Sequence, residues 1–170
     1  MEKQSVTLNG RELELSGKPP EIGSAMPDFE ALDNDLNPRR LSDYRGKIVV
    51  ISSVPSLDTP VCDMQTRRFN KEASELGQDV VVLTLSMDLP FAQKRWCAAA
   101  GVDRVITLSD HRDADFGKKS GLLIPAIRLL ARAVLVLDRE GIVRYVQLVP
   151  EVSSEPEYEP VLTAVKEIAG

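Results

Sequence analysis

A chain of 170 residues with 43% hydrophobic residues has the length and composition of one soluble globular domain able to bury its own core. Its 21 basic and 26 acidic residues leave a net charge of -5, which argues against a nucleic-acid or anionic-membrane binder. Apolar runs such as residues 133–137 are too short to span a bilayer, and the first residues lack the pattern of a secretory signal, so a cytoplasmic location is expected unless a leader was removed.

The chain opens on two short alternating runs, Ser5 to Leu8 and Arg11 to Leu15, joined by Asn9-Gly10. Asn-Gly tolerates the positive φ angles of a two-residue turn, so residues 1–16 are expected to form an N-terminal β-hairpin lying over the rest of the molecule. Residues 28–32 read as a short strand, 33–40 as polar turn, and 41–46 as a helical turn closed by Gly46. The β-branched run at 47–54 predicts a buried central strand. Pro55-Ser56-Leu57-Asp58 then leads into a helix with Thr59 as N-cap and Pro60 as its first residue, ending at Leu76 before Gly77. On it Cys62, Gln65, Phe69, Ala73 and Leu76 share a mostly apolar face directed at the sheet.

Residues 79–86 form an almost unbroken apolar run, as in a strand covered on both faces. A second helix, Phe91 to Ala100, stops at Gly101. A short strand at 105–108, a helical turn at 113–119 and irregular chain at 120–125 come next. A strand at 133–137 turns at Asp138-Arg139-Glu140-Gly141 and returns over 142–149. An acidic stretch, 150–157, precedes a closing helix from Pro160 to Ala169. This order specifies a three-layer α/β sandwich, a central sheet flanked by helices.

Two cysteines and one histidine are too few for a structural zinc site, and Cys62 and Cys97 are too far apart for a Cys-x-x-Cys motif. His111, in a charged loop, reads as a solvated residue. Cys62 falls in the first turn of its helix, where backbone amides and the macrodipole favour thiolate over thiol. A thiol so placed is poised for chemistry if small oxidants can reach it. The opposing reading is a buried structural cysteine, the usual fate of a free thiol. Cys97, taken alone, reads as a small core filler, and Trp96 as a packing anchor.

Four separated stretches carry a family resemblance: Val6-Thr7-Leu8-Asn9-Gly10, the run from Pro55 to Cys62, Asp88-Leu89-Pro90-Phe91-Ala92-Gln93 with Cys97 after it, and Leu130-Ala131-Arg132-Ala133. Over nearly its whole length the chain resembles the thiol peroxidases, atypical two-cysteine peroxiredoxins of thioredoxin-like fold. The resemblance implies that Cys62 is the peroxidatic cysteine, that Thr59 offers its hydroxyl to thiolate and peroxide, and that Arg132 holds and polarises the peroxide. It implies that Pro55 shields the site from water and that Cys97 is the resolving cysteine, closing an intramolecular disulfide with Cys62. Hydrogen peroxide and organic hydroperoxides as substrates, thioredoxin as reductant, a homodimer, and no metal, haem or flavin follow from the same likeness.

Read without the family, Thr59 is a cap alone, and Arg132 is either a surface strand arginine or, as its place directly before an apolar strand favours, a buried one. A disulfide needs Cα atoms within about 7 Å, and two cysteines on different helices are not expected to start so close. The turn around Cys62 is therefore expected to unwind during turnover. Two other classes fit the same residues: a peroxide-sensing redox switch, and a non-catalytic thioredoxin-fold binding module with structural cysteines.

Overall fold

The structure, a computed structural model, describes residues 4–170. The strands β1 (Ser5–Leu8) and β2 (Arg11–Glu14) pair antiparallel, from Ser5↔Glu14 to Leu8↔Arg11. Asn9 at φ 52° and Gly10 at φ 83° both take the left-handed conformation that this dipeptide tolerates. Residues 1–3 of the expected hairpin lie outside the described residues.

Next come β3 (Glu30–Leu32), β4 (Pro38–Arg40), a 3-10 turn at Leu41–Tyr44, β5 (Ile48–Ser53), α1 (Pro60–Leu76), β6 (Val80–Ser86), α2 (Pro90–Ala100) and β7 (Val105–Ser109). The chain ends with α3 (Asp115–Ser120), β8 (Leu123–Ile124), β9 (Leu129–Leu130), β10 (Ala133–Leu137), β11 (Val143–Leu148) and α4 (Glu159–Ala169). Seven strands form one mixed sheet in the order β11-β10-β5-β6-β7-β3-β4. β5, β6 and β7 run parallel, joined through α1 and α2, while β10 lies antiparallel to β5. This is the thioredoxin-like α/β arrangement with an N-terminal hairpin. Among the described residues no helix is long and apolar enough to cross a membrane.

Strand alternation divides the core. Ile48 and Val50 face one side with Phe69 and Ala73 of α1 and Val161 and Val165 of α4. Val49 and Ile51 face the other, with Phe29, Phe116, Leu135 and the hairpin residues Val6 and Leu13. Both layers are apolar because both faces of the central strands are covered. Each large side chain buried there contributes roughly 1.5–3 kcal/mol.

Two stretches depart from the sequence-based expectation. Residues 38–40, expected as turn, form β4, which pairs with β3 at the sheet edge and is exposed at every position. An edge strand wet on both faces carries no hydrophobic alternation to betray it. Residues 120–125, expected as irregular, contain β8, which pairs with β9 through Leu123↔Leu130 and Ile124↔Leu129. Strands of two residues are too short for a period to register.

Candidate active site

The chain leaves β5 at Ser53 and turns through residues 54–58 into α1. Asp88, just past the end of β6, holds that turn. Its Oδ1 accepts the Ser56 hydroxyl at 2.7 Å, and its Oδ2 accepts the Leu57 amide and the Ser86 hydroxyl, each at 2.8 Å. Pro55 is buried at the start of the turn. Thr59 occupies the N-cap position, as expected, but its side chain makes no cap hydrogen bond. Its hydroxyl instead donates back into the preceding turn, to the Ser56 carbonyl at 3.0 Å.

Cys62 sits in the first turn of α1 and is fully buried, with Val54 and Leu57 around it and half-buried Trp96 packed against them. The expectation of a sulfur open to small oxidants is therefore corrected for this conformation. The spacing that puts Cys62 on one face with Gln65, Phe69 and Ala73 also turns it inward, and all four are buried.

Arg132 immediately precedes β10 and is 1% exposed, which decides for burial over the surface alternative. Its guanidinium makes three directed bonds. Nε donates to the Val152 carbonyl at 2.8 Å, Nη1 to Gln65 Oε1 at 2.8 Å, and Nη2 to Cys62 Sγ at 3.2 Å. Gln65 is held in turn by its Nε2, which donates to Ser52 Oγ at 2.7 Å. Sequence reasoning missed Gln65 and Val152 as parts of this site. A polar residue on the inward face of α1 was the available signal for Gln65. Val152 acts through its carbonyl, which leaves no trace in side-chain type.

Cys97, near the end of α2, is half-buried and lies 3.5 Å from Thr107 Oγ1 on β7. The Thr107 hydroxyl donates to Asn34 Oδ1 at 2.8 Å, which leaves the Cys97 thiol as donor in the sulfur contact. Both cysteines are free. Cys62 contacts the residue leading into β10 and Cys97 a residue of β7, three strand spacings away, or about 14 Å. The two cysteine helices are bridged by Trp96, whose indole N–H donates to Asp63 Oδ1 at 2.9 Å. Asp63 Oδ2 accepts from Arg67 Nε at 2.9 Å, and the Arg67 guanidinium lies 5.7 Å from the centre of the Trp96 ring. Trp96 is thus a link between α1 and α2 as well as a packing group. His111 stands apart, half-buried in the loop before α3.

Residues 21–162 match the Redoxin family. The thiol peroxidase of Oceanobacillus iheyensis is 56% identical over 159 residues, spanning 94% of this chain and 96% of its own length. The chain belongs to the thiol peroxidase family. The thiol peroxidase of Bacillus subtilis is 51% identical over 161 residues, spanning 95% of this chain and 96% of its own. The crystal structure of a peroxiredoxin-like protein from Aquifex aeolicus superposes with a TM-score of 0.90 at 41% identity, over 96% of both chains. As a thiol peroxidase this protein is a peroxide-reducing enzyme. The pairing of a helix-start sulfur with a buried guanidinium is the arrangement in this chain suited to that chemistry.

Proposed function

We propose that this thiol peroxidase reduces hydrogen peroxide and organic hydroperoxides through a sulfenic acid on Cys62 and an intramolecular Cys62–Cys97 disulfide, with thioredoxin as reductant, in the cytoplasm. The observation that carries the reading is the 3.2 Å contact from Arg132 Nη2 to Cys62 Sγ. Burying a guanidinium is costly unless it is balanced. Its other two bonds go to neutral carbonyl oxygens, so negative charge on the sulfur is the balance within reach.

The thiolate attacks one peroxide oxygen in line. The S–O bond forms, the O–O bond breaks, and the electron pair departs on the second oxygen, which takes a proton and leaves as water or alcohol. Charge flows from sulfur to oxygen, and fixed guanidinium donors stabilise both ends of that path. Thr59, half-buried beside the turn, keeps free lone pairs that can accept a hydrogen bond from the peroxide O–H and orient it. Pro55, buried at the start of the turn, shields the site from water. Pro60 is exposed and Val61 half-buried, so the first turn of α1 is the side from which a peroxide is expected to enter.

The sulfenic acid then condenses with the Cys97 thiol, forming the S–S bond and releasing water. That step requires the first turn of α1 to open. The Asp88 bonds to Ser56 and Leu57, and the Trp96–Asp63 link, are the contacts that give way. A homodimer belongs to the same proposal. Exposed Met64, Leu89 and Phe91, near the starts of the two cysteine helices, supply apolar surface for it.

A thioredoxin-coupled peroxidase assay tests the reading. Cys62→Ser is expected to abolish peroxide consumption. Cys97→Ser is expected to keep a single turnover and lose cycling with thioredoxin. Retained turnover in Cys62→Ser would refute the assignment.

A further inference from the structure

The N-terminal hairpin plays no part in the chemistry above, yet it is tied to the strip of chain that fixes Arg132. The Thr7 amide donates to the Pro150 carbonyl at 2.8 Å, and the Val152 amide donates to the Thr7 carbonyl at 2.7 Å. These two bonds form an isolated parallel bridge between Thr7 and Glu151. The Glu151 carboxylate reaches back to the hairpin. Its Oε1 accepts the Gly10 amide at 2.9 Å and the Thr7 hydroxyl at 3.1 Å, while its Oε2 accepts the Ser153 amide at 2.8 Å. Val6 and Val152 are both buried in the same core layer, so the tie is apolar as well as polar. The carbonyl of Val152, one residue beyond Glu151, is the acceptor for Arg132 Nε.

We propose that the hairpin is a positioning element for the guanidinium of Arg132, and that Glu151 is the residue through which it acts. The proposal rests on the reading of Arg132 as the group that activates Cys62. Residues 150–153 run through turn and bridge geometry, without a helix or a ladder of their own to hold a carbonyl in place. The hairpin supplies the missing rung. A guanidinium is a rigid planar fork, so the acceptor on Nε sets where Nη2 points. When Val152 is released, the fork pivots about its Gln65 bond and Nη2 leaves the sulfur. Misplacement of a catalytic group by about 1 Å costs on the order of 100-fold in rate, and a partial pivot costs less.

The test uses the full chain carrying Cys97→Ser, in which Cys62 is the single thiol. Glu151→Ala, Glu151→Gln and Thr7→Pro are added separately; the last removes the amide that bonds Pro150. Two quantities are measured. One is the second-order rate constant for oxidation of Cys62 by hydrogen peroxide. The other is the pH midpoint for alkylation of Cys62 by iodoacetamide, which requires no peroxidase activity. Glu151→Ala and Thr7→Pro are expected to lower the peroxide rate constant about 10-fold and to raise the alkylation midpoint. Glu151→Gln, which keeps an acceptor for Gly10 and Thr7 but sets an NH2 against the Ser153 amide, is expected to fall between the parent and Glu151→Ala.

An unchanged midpoint in both disruptive variants overturns the proposal. So does a change that comes with loss of cooperative unfolding, because the hairpin would then support the fold at large. If the midpoint rises while even the parent ignores peroxide, the positioning role stands and the peroxidase reading of Cys62 falls.

Discussion

Arg132 concentrates the chemistry of this molecule in one planar group. Its three bonds reach a backbone carbonyl beyond β11 and, one turn apart on α1, a glutamine and a sulfur. Lysine keeps the charge but has a compact head on a flexible stem, and it cannot serve all three partners at once. Arg132→Lys is therefore expected to lower the second-order rate constant with peroxide by about 100-fold, as removal of a fixed donor does elsewhere, while leaving a folded protein. Stopped-flow oxidation of Cys62 measures it; a rate within a factor of two or so of wild type would show that charge alone suffices. Cys62 and Thr59 were legible from local sequence, because a helix start announces itself through its cap and Pro60. The bond from Gln65 to Arg132 was not, since it exists only once β10 lies beside β5.

At the scale of elements, the central strands, α1, α2 and α4 followed from periodicity and from their caps, to within a residue or two. The misses, β4 and the β8–β9 pair, are strands that bury no alternating face or are too short to show one. Also invisible in the sequence was the buried carboxylate that starts α3. Asp110 accepts the amides of Phe116 at 3.0 Å and Gly117 at 2.8 Å, and burial pushes its pKa up from 3.8 to about 6. The folded state thus holds the proton to a higher pH than the unfolded chain does. The stabilising contribution is fully present below pH 3.8 and is lost as pH rises through about 6. Asp110→Asn, uncharged throughout, is expected to flatten the fall in stability over that window. Urea unfolding at a series of pH values reads the slope, and an unaltered slope would count against this account.

For the molecule as a whole, the sole tryptophan reports on the distance between the cysteine helices. Trp96 precedes Cys97, donates to Asp63 of α1 and lies beside the Arg67 cation. Closing a Cys62–Cys97 bond must break that arrangement. Peroxide is therefore expected to change the intrinsic emission in two phases in wild type, and Cys97→Ser is expected to lose the second. Identical emission from reduced and oxidised protein would place the opening elsewhere.

The outermost strand on one side of the sheet, β4, is built as Pro38-Arg39-Arg40 and is wet throughout. Proline has no amide to offer an arriving chain, and the Arg40 amide is already donated to Asp43 Oδ2 at 2.9 Å. A second copy that meets this border finds nowhere to add its own backbone, so the protein is guarded against growing into fibres from that side.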